Sequence, residues 1–426
     1  MSNLLAIDHL KGKKIAILGF GREGLSTSRF LKKHKIRHKI IDFKFDKNYL
    51  DKIKDFEVLF RTPGFPRLHP KLLAAQKKGA LVTSNTKLFF DLCPCQIIGF
   101  TGTKGKTTTA LLAYKILKDK YGKRVFAAGN FGKPALDLLP RLDKDSLVVL
   151  ELSSFQLQDL DKSPRVAVIT NITVDHLDPG KKFNPASHQT AKEYFDAKIN
   201  ILKHQKPEDF AIIHPSLKNK TENVGKGRKI FSVPYPIETK LKGRHNLENI
   251  ALAVAVGKLF KVPVGKMIEA VRKFKGIEHR LEFVARINGV SFYNDSAATN
   301  PDATLAALRS FKEPIHLILG GSDKGLGYGK LIFYISKSRN VRSVTLIGQL
   351  KNKLYKLIKK HNQRKSLSVK KVETLKDAVL TLYKKTAKND VVLLSPAAAS
   401  FDMFESYAKR GEEFKKLVRQ IQRRVR

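Results

Sequence analysis

The chain contains 426 residues, of which 42% are hydrophobic and 28% are charged. This balance predicts a globular protein of two or three domains, with no apolar run near the roughly 18 residues that a membrane-spanning helix needs. Lys and Arg outnumber Asp and Glu by 82 to 38, but the excess is spread along the chain and forms no basic arm, so a nucleic-acid partner is not favoured.

The N-terminus lacks a basic segment followed by an apolar stretch and a cleavage site, so we expect no secretory signal. Cys93 and Cys95 are too close in sequence to join distant parts of a fold. No second Cys/His pair lies near them in the sequence, which indicates reduced thiols rather than a metal or redox site. These features together predict a cytoplasmic protein that does not enter the membrane.

Short apolar runs alternate with helix-like segments along the chain, which predicts an α/β fold built from βαβ units. In the first third, a glycine turn precedes a predicted helix at residues 25–33. The strands expected there are 14–18, 39–41 and 58–60. The pattern restarts near Cys93 with a strand at 97–100, a loop and a new helix, and this restart is the first predicted domain boundary.

The middle of the chain continues with apolar strands at 147–150 and 166–170, then loops and short strands over 203–242 and a helix at 247–260. The pattern changes again near Gly276. A hairpin of strands 281–287 and 290–293 leads there into another alternating region, which ends in a basic helix. We therefore predict three domains, at residues 1–92, 93–277 and 278–426.

Gly19, Gly21 and Gly24 lie between the first predicted strand and helix, and Asp42 ends the next strand. In a dinucleotide-binding turn of this layout, glycines let the backbone approach a pyrophosphate and an acid reaches a ribose. The motif alone is weak, because a tight turn without a ligand gives the same pattern. It also leaves open an NAD-dependent oxidoreductase, although nothing later in the chain supplies a catalytic pair for hydride transfer.

The segment Gly102-Thr103-Lys104-Gly105-Lys106-Thr107-Thr108 also lies between a predicted strand and a helix. Backbone amides of such a loop converge on phosphate oxygens, Lys106 supplies a positive charge, and the Thr107 hydroxyl can ligate Mg²⁺. The loop is shorter than the usual P-loop, since Phe100 stands where the first glycine would fall. Packing alone does not explain two glycines and a lysine at a helix start, so the segment predicts a nucleoside triphosphate site.

The shortened loop, TGTKGKTTT, closely resembles that of the Mur ligases and the related folylpolyglutamate synthases. Further blocks resemble the Mur ligase family in the expected order: GNFGKPAL from Gly129, ELSSFQL from Glu151, NITVDHLD from Asn171, AKINIL from Ala197, GRHNLENIA from Gly243, EHRLEFV from Glu278, NDSAATNP from Asn294, LGGSDKG from Leu319 and LLSPAAASFDMFESYAKRGEEF from Leu393. The resemblance implies a Rossmann-like UDP-binding domain, a central P-loop ATPase domain with a mostly parallel sheet, and a C-terminal Rossmann-like domain.

Within the family, the ELSSFQL and LLSPAAAS blocks are most similar to the branch that adds D-glutamate to UDP-N-acetylmuramoyl-L-alanine. The DNPR motif of the diaminopimelate-adding branch is absent, because Asp302 follows Pro301. One position departs from the D-glutamate branch: its DSKAT segment usually carries Lys where this chain has Ala297. The resemblance implies a peptidoglycan-precursor ligase, and the departure at Ala297 concerns its amino-acid specificity rather than the reaction.

The resemblance further implies that ATP phosphorylates the precursor carboxylate to an acyl phosphate, which the incoming amine attacks. Lys106, Glu151, His176 and Lys198 are the implied catalytic residues. Two Mg²⁺ ions are implied, one of them held by Thr107 with the phosphates. Further ligands of the two ions are Glu151, His176 and a carbamylated Lys198. The carbamate has a physical rationale, since an ammonium repels Mg²⁺ whereas a carbamate offers anionic oxygens.

The remaining roles implied by the resemblance fall into three groups. The ATP contacts are Gly102, Thr103, Lys104, Gly105, Lys106, Thr107, Thr108, Asn246, Asn249, Arg280 and Asp295. The UDP-precursor contacts are Gly21, Arg22, Lys44, Pro63, Gly64 and Asn130. The amino-acid contacts are Thr299, Lys324, Ser400 and Tyr407.

Three alternatives stay open at the level of sequence. One is another amide ligase of the same superfamily, which would add a different amino acid or extend folate. A second is a P-loop ATPase stimulated by nucleic acid, prompted by the net charge of +44. The oxidoreductase is a distant third. The preferred interpretation is a monomeric enzyme whose partners are ATP, the UDP-linked precursor and D-glutamate.

Overall fold

The computed structural model describes residues 7–42, 45, 48–173, 188–234, 236–241, 243–323, 325–362 and 364–425. Three candidate site residues, Lys44, His176 and Lys324, lie outside these ranges. Within them, no helix is both long and apolar enough to cross a bilayer.

The chain divides into two compact units. The first unit comprises Met1–Ile237 and Leu247–Val271, and the second unit comprises Glu238–Asn246 and Arg272–Arg426. The strands of the first unit form two parallel sheets, and those of the second unit form one mixed sheet.

The first sheet has the parallel strand order β2-β1-β3-β4. Its strands are β1 (Ile15–Leu18), β2 (Lys39–Ile41), β3 (Val58–Arg61) and β4 (Leu81–Thr83). Its helices are α1 (Arg22–Lys33), α2 (Pro70–Lys77) and α3 (Asn85–Leu92), with a 3-10 segment at Tyr49–Asp55. The central strands β1 and β3 are buried along their whole length, as expected of a parallel sheet covered by helices.

The second sheet has the parallel order β10-β9-β8-β5-β7-β6. Its strands are β5 (Gln96–Thr101), β6 (Val125–Gly129), β7 (Leu147–Glu151), β8 (Val166–Ile169), β9 (Phe210–Ile213) and β10 (Arg228–Phe231). The helices are α4 (Lys106–Tyr121), α5 (Ser154–Leu157), α6 (Ala191–Lys203), α7 (Lys218–Thr221), α8 (Arg244–Leu259) and α9 (Val264–Lys273). Short 3-10 segments lie at Gly122–Arg124, Ala135–Arg141 and Pro215–Leu217.

The third sheet has the order β11-β12-β16-β13-β14-β15, in which β11 alone pairs antiparallel. Its strands are β11 (Glu282–Ile287), β12 (Val290–Asn294), β13 (Ile315–Gly320), β14 (Val341–Ile347), β15 (Ser368–Lys371) and β16 (Val391–Leu394). The helices are α10 (Pro301–Leu308), α11 (Gly329–Lys337), α12 (Lys351–His361), α13 (Leu375–Tyr383) and α14 (Tyr407–Val425).

The predicted α/β class with mostly parallel sheets is confirmed. The strands of each sheet fall inside one predicted domain. The first two sheets, however, belong to the same compact unit. The boundaries at 92/93 and 277/278 therefore stay predictions. Both glycine loops follow interior strands, β1 and β5, at the carboxyl edge of a parallel sheet, which is where open α/β sheets bind ligands.

Candidate active site

The loop between β5 and α4 is shaped by glycines that approach other side chains closely. Gly102 (φ 144°) and Gly105 (φ 84°) both have left-handed backbone conformations. A Cβ at Gly102 would overlap the hydroxyl oxygen of Thr170, and a Cβ at Gly105 would overlap the amide oxygen of Asn249. No residue with a side chain fits either position without displacement of these groups, so both glycines are structurally required.

The end of β8 holds the same loop in place. The backbone N–H of Thr103 donates to the carbonyl oxygen of Asn171 (2.6 Å), and that of Lys104 donates to the Asn171 side-chain oxygen (3.0 Å). The Thr170 hydroxyl donates to the carbonyl oxygen of Lys104 (2.6 Å). The Lys106 ammonium donates to the carbonyl oxygen of Thr103 (2.9 Å) and so lies over the loop. These hydrogen bonds hold the loop in one conformation, which suits a loop whose backbone amides bind phosphate.

Asn249 lies on α8 and belongs to the same cluster. The Thr109 hydroxyl lies 3.3 Å from the Asn249 side-chain oxygen and 2.9 Å from the carbonyl oxygen of Gly105. Asn246 is also buried and lies one turn earlier on α8. Thr107 and Thr108 are half-buried in the first turn of α4. The structure therefore brings the predicted ATP contacts of residues 102–108 together with Asn249.

Glu151 ends β7, beside the strand that leads into the loop, and is 1% exposed. The Asn130 amide donates to its Oε1 (2.9 Å), while its Oε2 is buried and has no hydrogen-bond partner among the described residues. Burying an unpaired carboxylate oxygen is costly unless a ligand satisfies it. The helix cap next to it is formed by Ser153 with Gln156, so Glu151 is not a capping acid. This orphaned oxygen fits a cation ligand.

Lys198 is buried on α6, at 2% exposure. Its ammonium lies 4.6 Å from the centre of the Tyr194 ring, and the Tyr194 hydroxyl lies 3.1 Å from the Thr103 hydroxyl. Tyr194 thus connects Lys198 with the phosphate loop. In the part of the chain that is described, no group of three His, Cys, Asp or Glu side chains could hold a metal by itself. A metal here would need hydroxyl, carbamate or phosphate oxygens as well as Glu151.

Sequence reasoning missed two further residues, Tyr194 and His188, whose ring centres lie 5.3 Å apart. His188 is fully buried, stacks on the Phe155 ring and lies 2.9 Å from the Ser154 hydroxyl oxygen. Tyr194 lies on α6 four residues before Lys198, and only that helical spacing could have drawn attention to it. His188 precedes the helix, and a lone His gives no distinctive pattern in the sequence.

A cleft of about 590 Å³ lies beside the first glycine loop. The predicted UDP-precursor residues that line it are Gly21, Arg22, Pro63, Gly64 and Asn130. The sixth, Lys44, is outside the described residues. Since Asn130 also binds Glu151, one hydrogen bond connects this cleft with the metal-ligand candidate next to the phosphate loop.

Asp42 stabilises the first glycine loop. Its carboxylate accepts a hydrogen bond from the backbone N–H of Phe20 (2.7 Å), and Gly19 N–H donates to the carbonyl oxygen of Ile41 (2.9 Å). Gly19 has φ 114°, and a Cβ there would overlap the Thr62 hydroxyl oxygen. The glycine pattern therefore reflects a tight approach between β1 and the Thr62 turn, beside the cleft.

In the second unit, Asp295 is buried and accepts hydrogen bonds from the Ser395 hydroxyl (2.7 Å) and the Leu281 N–H (3.1 Å). Burial raises the pKa of Asp295 to about 7, against the opposing effects of these hydrogen bonds and of the Arg280 charge. Arg280 itself is exposed. Both are predicted ATP contacts. Arg280 lies just before β11, and Asp295 follows β12.

Thr299 and Ser400, two of the predicted amino-acid contacts, lie on two loops that Arg410 joins. This residue is 1% exposed, and its guanidinium donates to the hydroxyl and carbonyl oxygens of Ser296 (3.0 Å each) and to the carbonyl oxygens of Ala398 (3.0 Å) and Ala399 (3.2 Å). Burial lowers its pKa to about 10, which still leaves it charged at neutral pH. Sequence reasoning missed Arg410.

The three predicted amino-acid contacts that the structure describes lie on those loops or next to them. Thr299 follows Ser296 and donates its N–H to the carbonyl oxygen of Ala297 (2.9 Å). Ser400 is buried, and its hydroxyl has no partner in the described part of the chain. Tyr407 is 47% exposed and begins α14. Lys324 is outside the described residues.

Comparison with known proteins gives two family matches. The Mur ligase middle domain matches residues 100–230, and the Mur ligase, glutamate ligase domain matches residues 279–398. The first includes the phosphate loop, Glu151 and Lys198, and the second includes Asp295 and Thr299.

Three similar proteins are all named UDP-N-acetylmuramoylalanine–D-glutamate ligase. The one from Acetivibrio thermocellus is 35% identical and covers 97% of each chain. Those from Clostridium botulinum and Clostridium tetani are 34% identical; the first covers 97% of this chain and 98% of its own, and the second covers 96% and 97%.

Solved structures share the fold at lower identity. MurF ligase from Thermotoga maritima in complex with ADP has a TM-score of 0.57 at 18% identity and covers 99% of this chain and 100% of its own. UDP-N-acetylmuramate–alanine ligase MurC from the same organism has a TM-score of 0.54 at 15% identity and covers 96% and 100%. With relatives 35% identical over nearly its whole length, this chain belongs to the Mur ligase family.

Proposed function

We propose that the protein is an ATP-dependent ligase that adds D-glutamate to UDP-N-acetylmuramoyl-L-alanine in peptidoglycan precursor synthesis. The relatives that carry this name match nearly the full chain. The observation that carries the proposal is the hydrogen bond between Asn130 and Glu151, because it joins the precursor cleft to the phosphate loop. Phosphoryl transfer from ATP to a precursor carboxylate requires these two sites to be adjacent.

In this proposal, the precursor diphosphate binds at the first glycine loop, with Arg22 and Lys44 as counter-charges and with Pro63 and Gly64 on the uridine side. The ATP phosphates bind the backbone amides of residues 102–108 and the Lys106 ammonium. The precursor carboxylate attacks the terminal phosphorus and releases ADP. The amine of D-glutamate then attacks the acyl carbon, and phosphate leaves as the amide forms. The chain's contribution is mainly positioning and charge stabilisation.

Mg²⁺ would neutralise the developing charge on the phosphate oxygens. We assign Thr107 to one ion and His176 to a second, with Glu151 and a carbamylated Lys198 as further ligands. The buried, unpartnered Oε2 of Glu151 supports this assignment, since a cation would satisfy it. The burial of Lys198 supports the carbamate, because a carbamylated lysine would offer oxygens to the metal from a position where an ammonium is poorly solvated.

We assign the amino-acid site to the second unit, at Thr299, Lys324, Ser400 and Tyr407, with Arg280 and Asp295 directed to ATP together with Asn246 and Asn249. The buried Ser400 hydroxyl, which lacks a partner in the described residues, supports a ligand at these loops. Ala297 removes the cation usual at that position of the family's D-glutamate branch, and we assign Lys324 as a counter-charge for the acidic substrate. We further propose a monomer that acts in the cytoplasm, where ATP and the precursor are made.

The test is ADP and phosphate release with ATP, Mg²⁺ and UDP-N-acetylmuramoyl-L-alanine, measured with D-glutamate, L-glutamate, L-lysine and diaminopimelate in turn. D-glutamate alone should stimulate turnover and give a product heavier by one glutamyl residue. Stimulation by another amino acid, or by a folate in place of the precursor, would replace the proposed activity with another ligase of the superfamily. ATP hydrolysis that rises with DNA or RNA and needs no precursor would replace it with a nucleic-acid-stimulated ATPase.

A further inference from the structure

Cys93 and Cys95 are the only two cysteines of the chain, and their thiols lie against each other. The two sulfur atoms are 3.6 Å apart, which is within the range of a thiol–thiol hydrogen bond. Both side chains are half-buried, and Pro94 between them is exposed. Spacing in the sequence did not establish this contact, because the rotamers of the two side chains decide whether the sulfurs meet. The contact makes a reaction between the two thiols possible at the protein surface.

Secondary structure holds the backbone on both sides of the pair. Cys93 ends α3, where its N–H donates to a carbonyl oxygen in the last turn of the helix (2.8 Å), and Pro94 restricts its own φ through its ring. Cys95 directly precedes β5, whose first residue, Gln96, pairs with Leu147 of β7. Because neither flank is loose, the two thiols stay neighbours, and rotation about the side-chain bonds can bring the sulfurs to bonding distance.

The two thiols differ in acidity. The hydrogen bond with Cys95 lowers the pKa of Cys93, against the opposing effect of burial. The same contact raises the pKa of Cys95, together with burial and the negative charge of Asp143. A second anion beside the first is disfavoured, so the pair loses one proton well before the other. Cys93 therefore carries the thiolate, which is the reactive form of a thiol, and Cys95 keeps its proton.

A disulfide between Cys93 and Cys95 would close a loop over a single proline. So short a loop removes little entropy from the unfolded chain, and the bond would add little to the free energy of unfolding. The two side chains pack against an apolar core that forms without any covalent link. A partly exposed disulfide that contributes little stability is the labile kind, which small thiols can reduce. The site therefore suits reversible chemistry and not a structural cross-link.

We propose that Cys93 and Cys95 form a reversible dithiol–disulfide site that reacts with low-molecular-weight disulfides of the glutathione class. The Cys93 thiolate attacks one sulfur of the small disulfide, forms a mixed disulfide and releases one small thiolate. Cys95 then loses its proton to solvent, and its sulfur attacks the Cys93 sulfur and releases the second small thiolate. The small disulfide gains two electrons, and the protein loses two hydrogen atoms. This site gives the pair a redox role that the sequence did not indicate, and it does not depend on the proposed ligase activity.

The test is mass spectrometry of the intact full chain after incubation with oxidised glutathione near neutral pH, with air excluded. Because the chain has no other cysteine, each change in mass is assigned to this pair. The expected product is a single chain lighter by two hydrogen atoms and without retained glutathione, and dithiothreitol should restore the starting mass. The unmodified protein gives this result, so the test does not depend on the folding of a variant.

Two single variants separate the two steps. Cys95→Ser should stop the reaction at the mixed disulfide, so that one glutathione stays on Cys93, whose sulfur can still accept a hydrogen bond from the serine hydroxyl. Cys93→Ser leaves the less acidic thiol and should take up glutathione about tenfold more slowly. The variant that carries both changes is the control and should keep its mass. Circular dichroism checks that each variant is folded.

Three products would overturn the proposal: a chain with two glutathione molecules, a covalent dimer, or a chain that keeps both thiols under conditions that oxidise dithiothreitol. Equal rates of glutathione uptake by Cys93→Ser and Cys95→Ser would overturn the role of Cys93 as the attacking thiol. None of these outcomes bears on the ligase activity, which the assay with the precursor tests separately.

Discussion

Arg61 and Asp159 form a buried ion pair within the first unit, with Nη2 of the arginine 2.5 Å from Oδ2 of the aspartate and both side chains at most 6% exposed. Arg61 ends β3 of the first sheet, and Asp159 follows α5, the short helix after β7 of the second sheet. The same guanidinium donates to the carbonyl oxygens of Phe65 and Phe155. It therefore fixes the segment after Glu151 against the turn that lines the precursor cleft.

Arg61→Met should destabilise the first unit by about 3–5 kcal/mol, because two carbonyl oxygens lose their donor and the buried carboxylate of Asp159 keeps only the Arg67 side chain, 3.7 Å away. Urea unfolding followed by circular dichroism measures the loss. The control is Arg29→Met, which removes an ion pair of 2.8 Å with Asp137 in which the arginine is 61% exposed, and which should cost less than about 1 kcal/mol. Similar losses for the two variants would contradict a special role for the buried pair.

Gly105→Ala should lower kcat/KM for ATP by about a hundredfold, since the added Cβ overlaps Asn249 and displaces the phosphate loop. The assay is ADP release at varied ATP concentration. Gly122→Ala is a matched control at the other end of α4: Gly122 also has a positive φ of 59°, but nothing lies within 4 Å of an added Cβ. Both variants carry backbone strain, so an equal loss of activity would show that overlap with Asn249 is unimportant.

Glu151→Gln should lower kcat by about 10²–10³-fold under saturating substrates, because a neutral amide is a poor replacement for a carboxylate at a cation. Its folding should be little affected, since the amide oxygen still accepts from Asn130 and the uncompensated buried charge is removed. Activity is measured over a range of Mg²⁺ concentrations, together with the melting temperature. A variant that is active but much less stable would assign Glu151 to structure alone.

The change in unfolding free energy caused by Asp295→Asn should be more favourable at pH 8 than at pH 5, by about 1–3 kcal/mol. The pKa of Asp295 is raised to about 7 in the folded state from 3.8, so the folded protein holds a proton that the unfolded chain has lost. Its contribution to stability is therefore full below about pH 4 and is lost as pH rises towards 7. Denaturation of both proteins at the two pH values gives the difference, and a difference independent of pH would contradict the raised pKa.

The elements that the sequence predicted best are those with a strong local pattern. The predicted strand at 39–41 has the same bounds as β2, Lys39–Ile41, and the hairpin predicted at 281–287 and 290–293 is the antiparallel pair β11–β12. The helix predicted at 247–260 begins three residues earlier, at Arg244. Apolar periodicity and glycine positions suffice for such elements because both act over a few neighbouring residues.

Much of the site depends on partners far away in the chain and could not be predicted. Arg61 and Asp159 are 98 residues apart, and Arg410 and Ser296 are 114 residues apart. A charged residue inside an apolar strand or on a helix does not indicate which group will neutralise it. Glu23, which lines the precursor cleft, illustrates the same limit, because its carboxylate accepts a hydrogen bond from Gln156, 133 positions later.

The position of Arg410 also bears on how an amino acid would be received. One guanidinium holds the backbone of Ser296 and that of Ala398 and Ala399, so the two segments cannot shift independently without breaking hydrogen bonds to a buried cation. A receptor built in this way is rigid before its ligand arrives, and little ordering entropy is lost on binding. Discrimination between amino acids would then depend on the fixed outline of these segments, with little adjustment to each candidate.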